Sequence, residues 1–371
     1  MTITRIFKHL SIVTALMMLL GTAAAQQADS DEVKQFIAEQ SAVVKDTANF
    51  DWIRLLSGEW LKGELKSVYS EEVEFESDIL DTLFIDVEDV SAILSGREYS
   101  VRFDDGTVLS GSLNIAGGRV IVGDSPAFYS IEQLVSIAPT LGSGWKNWSI
   151  NIGAGINWSK GNTDQTEGSL TADIKWRTAT YRYLTDILAT RTEIDDEVTK
   201  SSVRANGTFD WFYTNRLYIR PVIFEYFRDP FQNIASRYSL GAGAGYYIID
   251  DSRTEWDITA GPLYQKTKFD TVGEGEDDSV SSTSFFVGTT YEYELTSDID
   301  LSLDYRYIFA SDEIGGDSQY AQAGLEVELT NTIDLDLAFV WDHQDSPVAD
   351  SDGVRPKKDD YKTIVSLSVD F

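Results

Sequence analysis

The chain has 371 residues, with 61 acidic side chains against 30 basic ones, a net charge of −31 and no cysteine. That charge repels nucleic-acid phosphates, so no nucleic-acid partner is expected, and the missing cysteines exclude disulfides, thiolate metal sites and cysteine nucleophiles. Past residue 25 there is no run of 18 apolar residues, which excludes helical membrane spans. Any crossing of a bilayer is then left to a closed barrel, which pairs all its backbone groups internally.

Residues 1–25 read as a signal peptide. Arg5 and Lys8 supply a basic start, Ile12 to Leu20 an apolar stretch, and Ala23 and Ala25 the small residues of a cleavage site. Residues 26–49 follow as a polar linker. Within it, Val33, Phe36, Ile37, Val43 and Val44 form a loose helical stripe across 31–47.

Residues 50–140 repeat themselves. The run from Ile53 to Leu65 aligns with the run from Val101 to Leu113, keeping Gly58 over Gly106 and Gly63 over Gly111. The first glycine of each pair falls where a tight hairpin needs positive φ. Each unit closes alike: Val87-Glu88-Asp89-Val90 before Ile93, and Ile131-Glu132-Gln133-Leu134 before Ile137. Units of this size, built of short strands and tight turns, predict two small SH3- or Sm-like β repeats packed on each other. They are expected to form a periplasmic interaction or spacer module with a protein partner.

From Trp145 onward the pattern is alternation with period two. Trp148, Ile150, Ile152, Ala154, Ile156 and Trp158 share a face, with Asn151, Gly153, Gly155 and Asn157 opposite. At about 3.3 Å per residue and roughly 40° of tilt, Trp148 and Trp158 are about 25 Å apart, the height of the apolar band between aromatic girdles. The same alternation runs through Leu170–Trp176, Val203–Trp211, Tyr238–Ile248, Trp256–Tyr264, Ile299–Tyr307 and Ile333–Trp341. Opposite faces carry Asp173, Lys175, Asp210, Asp257, Asp300, Asp304, Arg306, Asp334 and Asp336. An apolar exterior around a charged interior is the membrane arrangement. A soluble sandwich alternates in the same way locally, but it does not place Trp and Tyr at strand ends.

Connections are predicted to alternate between tight turns near 178–180, 214–215, 250–252, 296–298 and 330–331 and long acidic loops at 192–198, 228–236, 268–280, 311–318 and 343–359. This yields an all-β, transmembrane, antiparallel up-and-down barrel of about twelve strands over 145–371. Its last strand alternates from Tyr361 to a terminal Phe371. A terminal aromatic there resembles the signal read by the outer-membrane barrel assembly machinery, which makes that machinery an expected partner, along with outer-membrane lipid and lipopolysaccharide.

The stretch Trp148-Ser149-Ile150-Asn151-Ile152-Gly153-Ala154-Gly155, followed by Ser159-Lys160-Gly161-Asn162-Thr163, resembles the family catalogued as domain of unknown function 481, described as salt-induced outer membrane proteins. The resemblance covers about 145–371. It implies a barrel in the bacterial outer membrane and supplies no agreed activity.

No catalytic, metal or cofactor site is legible. Past residue 25 the one histidine is His343, and its strand neighbour Asp342 faces the other side. An acid–base site would need a partner within reach. Asp350-Ser351-Asp352-Gly353, with Asp359 beyond, looks like a calcium loop but has Val348 at the first ligand position and lacks the bidentate glutamate. Glu274, Glu276, Asp277 and Asp278 read as a solvated run. The leading expectation is a structural or interaction role in the envelope, linked to salt or osmotic response. The alternative is a cation-preferring channel, because acids outnumber bases on the inward face. An enzyme is not expected.

Overall fold

The computed structural model describes residues 50–77, 79–125, 129–140, 142, 144–159 and 165–370. The signal peptide, the 31–47 stripe, Lys160 to Thr163 and Phe371 lie outside them.

The chain forms two sheets. The first contains β1 (Asp51–Leu55), β2 (Trp60–Tyr69), β3 (Glu72–Ser77), β4 (Asp81–Asp86), β5 (Val90–Phe103), β6 (Val108–Ala116), β7 (Arg119–Val122), β8 (Tyr129–Ser130) and β9 (Leu134–Pro139). The repeat is visible in its backbone. Leu55 N–H bonds the Glu59 carbonyl at 3.0 Å, and Phe103 N–H bonds that of Thr107 at 3.0 Å. Gly58 and Gly106 both take positive φ, +104° and +83°, where a Cβ would be strained. Each unit then enters a single 3-10 turn, Val87–Asp89 and Ile131–Gln133.

The two repeats do not close as separate barrels. β5 serves both, closing the first repeat with Val90–Leu94 and opening the second with Tyr99–Phe103, with a register shift between. β9 then pairs with β2 and β5, so closure occurs once, as a small four-stranded ring of β1, β2, β9 and β5. The physical reason is core size. Neither unit of about 45 residues buries enough apolar surface alone. Together, Ile53, Leu65, Val68 and Phe75 of the first repeat and Val101, Leu113, Ile115 and Ile137 of the second form one cluster, each at most 1% exposed.

The second sheet is a closed antiparallel barrel of twelve strands, each paired with its sequence neighbour and the last with the first. They are β10 (Trp148–Ser159), β11 (Gln165–Arg177), β12 (Tyr181–Ile194), β13 (Glu197–Phe212), β14 (Leu217–Asp229), β15 (Ile234–Asp250), β16 (Thr254–Phe269), β17 (Ser279–Thr296), β18 (Ile299–Phe309), β19 (Ser318–Thr330), β20 (Ile333–Gln344) and β21 (Asp359–Asp370). Closure through Asn151–Ala154 against Leu367–Asp370 leaves no free edge.

The alternation read from the sequence sorts by side of the wall. Ile152, Leu170, Leu240, Ile258, Tyr264, Phe339 and Leu367 are exposed on the outside, while Asp210, Asp257 and Asp334 are buried within. Aromatic side chains ring both ends of the outer face, with Trp148 against Trp176 near the short turns and Tyr307 against Phe309 near the long loops. Two predicted long loops are not long: β14 and β15 join through Pro230 to Asn233 alone, and the other connection is shorter still. β12 and β13 join through Asp195-Asp196, both at positive φ (51° and 68°), so most of 192–198 continues the strands. Aspartate tolerates the left-handed region that a two-residue hairpin demands. An acidic run is therefore no signal of loop length.

Candidate functional site: the lumen and its mouth

The inward face of the barrel divides into a half filled by ion pairs and aromatic rings and a half lined by rows of carboxylates. In the filled half, near the short turns, Arg182 and Arg220 grip Asp210 at 2.9 and 2.6 Å, and Arg182 also reaches Glu255 at 3.3 Å. The rings of Phe212, Tyr218 and Tyr247 fill the space around them, and Tyr218 donates its hydroxyl to Asp257 at 2.6 Å. Further toward the long loops, Glu225 accepts from Arg204 and Arg306, Arg204 bonds Asp342, and Lys362 meets Asp342 at 3.2 Å. Two of these pairs cross the barrel, Arg204–Asp342 from β13 to β20 and Arg306–Glu225 from β18 to β14, while the others join neighbouring strands. Charges taken from water need such partners.

The other half is built differently. One cross-strand row runs Asp370, Asn151, Asp173, Asp186, Asn206 through β21, β10, β11, β12 and β13. A second runs Asp300, Glu326, Asp336, Ser366 through β18 to β21. In the first, Asp173 stands directly opposite Asp186, and in the second Glu326 stands between two aspartates. Like charges so placed repel. The amides of Asn151 and Asn206 soften the ends, donating to Asp370 at 2.9 Å and to Asp186 at 2.7 Å. Among the described residues no lysine or arginine forms an ion pair with Asp173, Asp300, Glu326 or Asp336. Asp173, Asp186, Asp300 and Glu326 are exposed to water inside the wall. Their neighbours are small: Thr171 and Asp336 pack against Gly153, and Ser302 packs against Gly324.

The N-terminal module sits against the short-turn end. Ser136 donates to the Ala179 carbonyl at 3.1 Å, Arg177 lies 3.9 Å over the Tyr69 ring, and Arg102 faces the Phe212 ring. The β2–β3 turn leads this contact. Ser70 and Glu71 hold positive φ of 50° and 62° without glycine, a strain of order 1–3 kcal/mol per residue that surrounding contacts must offset. Next in sequence, Glu72 is pushed up to about 7 by burial and then by Glu294, Asp86, Glu74 and Asp300. At the module's other flank burial raises Glu64, but Lys146, at 2.6 Å, and Arg97 outweigh it and hold the carboxyl below its ordinary range. Burial lifts the Tyr69 and Tyr99 hydroxyls well above theirs. Tyr99 donates to the fully buried Asp51 at 2.7 Å, tying β5 to β1.

The residues weighed as candidate chemistry are dispersed. His343 does have an orienting partner, found across the β20–β21 pair: Asp359 lies 2.8 Å from Nδ1 and also accepts from Trp341 at 2.9 Å. Its sequence neighbour Asp342 faces inward, as strand alternation predicts, and pairs with Arg204 and Lys362. Asp350 uses one carboxylate oxygen to accept from the Asp352 and Val354 amides at 2.9 and 2.8 Å, an Asx turn. Glu274, Glu276, Asp277 and Asp278 sit in or beside the loop between β16 and β17, where Asp278 lies 3.8 Å from Lys268. Among the described residues no group of acids and histidines is placed to hold a metal ion.

A closed, twelve-stranded antiparallel barrel with an apolar exterior and a charged interior defines the class: a transmembrane β-barrel of the outer-membrane type. The family model described as "Protein of unknown function, DUF481" matches residues 152–371, and the chain belongs to that family. None of the curated proteins matches it. Among solved structures it is similar to the NanC porin (10% identity, 60% of this chain and 97% of that one, TM-score 0.35). It is also similar to the translocator domain of the autotransporter NalP from Neisseria meningitidis (12%, 60% and 85%, 0.33). A third is a Pseudomonas aeruginosa FadL homologue (11%, 74% and 87%, 0.26).

Proposed function

We propose that the protein is an outer-membrane barrel that admits small cations along the carboxylate-lined half of its lumen. The observation that supports this reading is the pair of like-charge rows, Asp173 opposite Asp186 and Asp300–Glu326–Asp336. Rows of facing carboxylates exposed to water cost stability unless counter-ions occupy the space between them, and an acidic wall favours cations over anions. The chain is exported by its first 25 residues and assembled through the strand that ends at Phe371. It lies among outer-membrane lipid and lipopolysaccharide, with the 50–140 module on the periplasmic side.

Planar-bilayer recording of the purified full chain tests the reading. A salt gradient should displace the reversal potential toward that of the cation, and Asp173→Asn with Asp336→Asn should reduce the displacement. Silent bilayers, or anion preference, would remove the proposal.

A second reading is a structural one, in which the barrel anchors the module for contact with an envelope protein. The motivating observation is β4, an edge strand whose Phe84 is 62% exposed, next to Leu80 at 53%. Such an edge is a place for pairing. Full-length protein that retains no periplasmic partner after cross-linking would count against it. Neither reading assigns catalysis, and unchanged growth of cells carrying His343→Ala is the expected result.

A further inference from the structure

A buried guanidinium needs a carboxylate, because an unpaired charge out of water is costly and arginine does not escape by losing its proton. Arg182, Arg204, Arg220 and Arg306 each have one inside the barrel. Arg237 of β15 has none within ion-pair distance, and Glu225 and Asp342 act on it only from further off. It is 7% exposed, donates Nε to Thr267 Oγ1 at 3.0 Å and Nη2 to the Ile314 carbonyl at 3.2 Å, and forms no ion pair among the described residues.

The guanidinium borders a chamber of about 30 Å³ in the half of the lumen nearer the long loops. Arg204 and Arg306 share its wall with Glu225 and Asp342. Both carboxylates are already engaged, Glu225 by Arg204 and Arg306, and Asp342 by Arg204 and Lys362. The lining thus carries three guanidinium groups against two carboxylates, a positive spot inside a chain of net charge −31. The 3-10 turn Asp312–Ile314 lies beside it, held by two lining residues, Arg237 and Gln344. Ile314 is 2% exposed, and its carbonyl also accepts from Gln344 at 3.0 Å. Gly315, at φ +106°, packs so closely that a Cβ would stand 1.5 Å from the Gln344 amide.

We propose that this chamber binds a small monovalent anion, of halide or formate size, with Arg237 as its charge partner. A chamber of this volume has room for one or two water-sized bodies, which excludes sulfate, phosphate and sugar acids. The bound anion neutralises the third guanidinium and, through the Arg237 bond to Ile314, fastens the turn beside it. The site stands whether or not the lumen conducts.

Full-length protein in detergent provides the test, with gluconate exchanged for chloride at constant sodium and ionic strength. Chloride should slow unfolding several-fold, since a ligand bound to the native state alone stabilises it. Arg237→Gln should remove the difference between the two anions. An equal chloride effect in wild type and variant, or none in wild type, overturns the proposal. Wild-type crystals grown in bromide decide the matter even if the variant fails to assemble. An anomalous peak beside Arg237 supports the site, and a chamber without one overturns it.

Discussion

The module and the barrel use the same alternating pattern with opposite solvents. In the module the apolar face turns inward, and Leu65 and Leu113 are at most 1% exposed. In the barrel it turns outward, with Leu240 59% and Leu367 55% exposed, and the charged face turns in. What separates the two is where closure occurs. A ring of four strands has only its own side chains to fill it. A ring of twelve encloses enough space for ion pairs and water. The lesson is that period two identifies a strand while the strand count decides which face meets water.

The largest expected effect separates the two regions directly. Leu113→Arg places an unpaired charge in the module core and should unfold the module while leaving the barrel assembled, read as protease cleavage before residue 145 with the barrel fragment protected. Leu240→Arg should do the reverse, costing about 2–4 kcal/mol if the position lies near the bilayer midplane and lowering the yield of folded barrel in a heat-modifiability gel. If both substitutions disable the same region, the contrast is wrong.

A comparable effect is expected from truncation. Leu113→Ala should destabilise the module by about 2–5 kcal/mol in denaturant unfolding. Leu240→Ala removes a side chain that rests against lipid and leaves no cavity, so it should cost distinctly less.

The smallest effect concerns the junction. With Glu72 raised to about 7, in part by Glu294 and Asp300 of the barrel, the docked module holds its proton more firmly than the free module does. That contribution to docking is full below the ordinary carboxyl range and is lost as the pH rises through about 7. Glu72→Gln should therefore tighten docking at pH 8, by about 1 kcal/mol after solvent screening, and leave it nearly unchanged at pH 4. Hydrogen exchange at Tyr69 to Glu72 measures this, and an equal effect at both pH values contradicts it.

Much of the barrel was legible in the sequence because its signal is local. Trp148, Ile150 and Ile152 alternate with Asn151 and Gly153 within a single strand, and tight turns such as 178–180 mark the strand ends. Cross-strand register is not local. Asp173 and Asp186 lie on neighbouring strands of a hairpin, yet only the pairing sets them opposite each other. The match of His343 with Asp359 was hidden for the same reason, across a loop of more than a dozen residues. In the module, Gly58 and Gly106 announced the repeat, but not that β5 would serve both units. That sharing follows from core size, which no single motif encodes.

The central claim, that neighbouring residues of one strand meet lipid and water in turn, is open to a direct measurement because the chain contains no cysteine. Asp336→Cys and Leu337→Cys, made separately and labelled with a fluorophore after assembly into vesicles, place reporters on the two faces of β20. Brominated lipid should quench the probe at 337 and spare that at 336, while aqueous iodide does the opposite. Equal quenching of both probes by either agent would contradict the account.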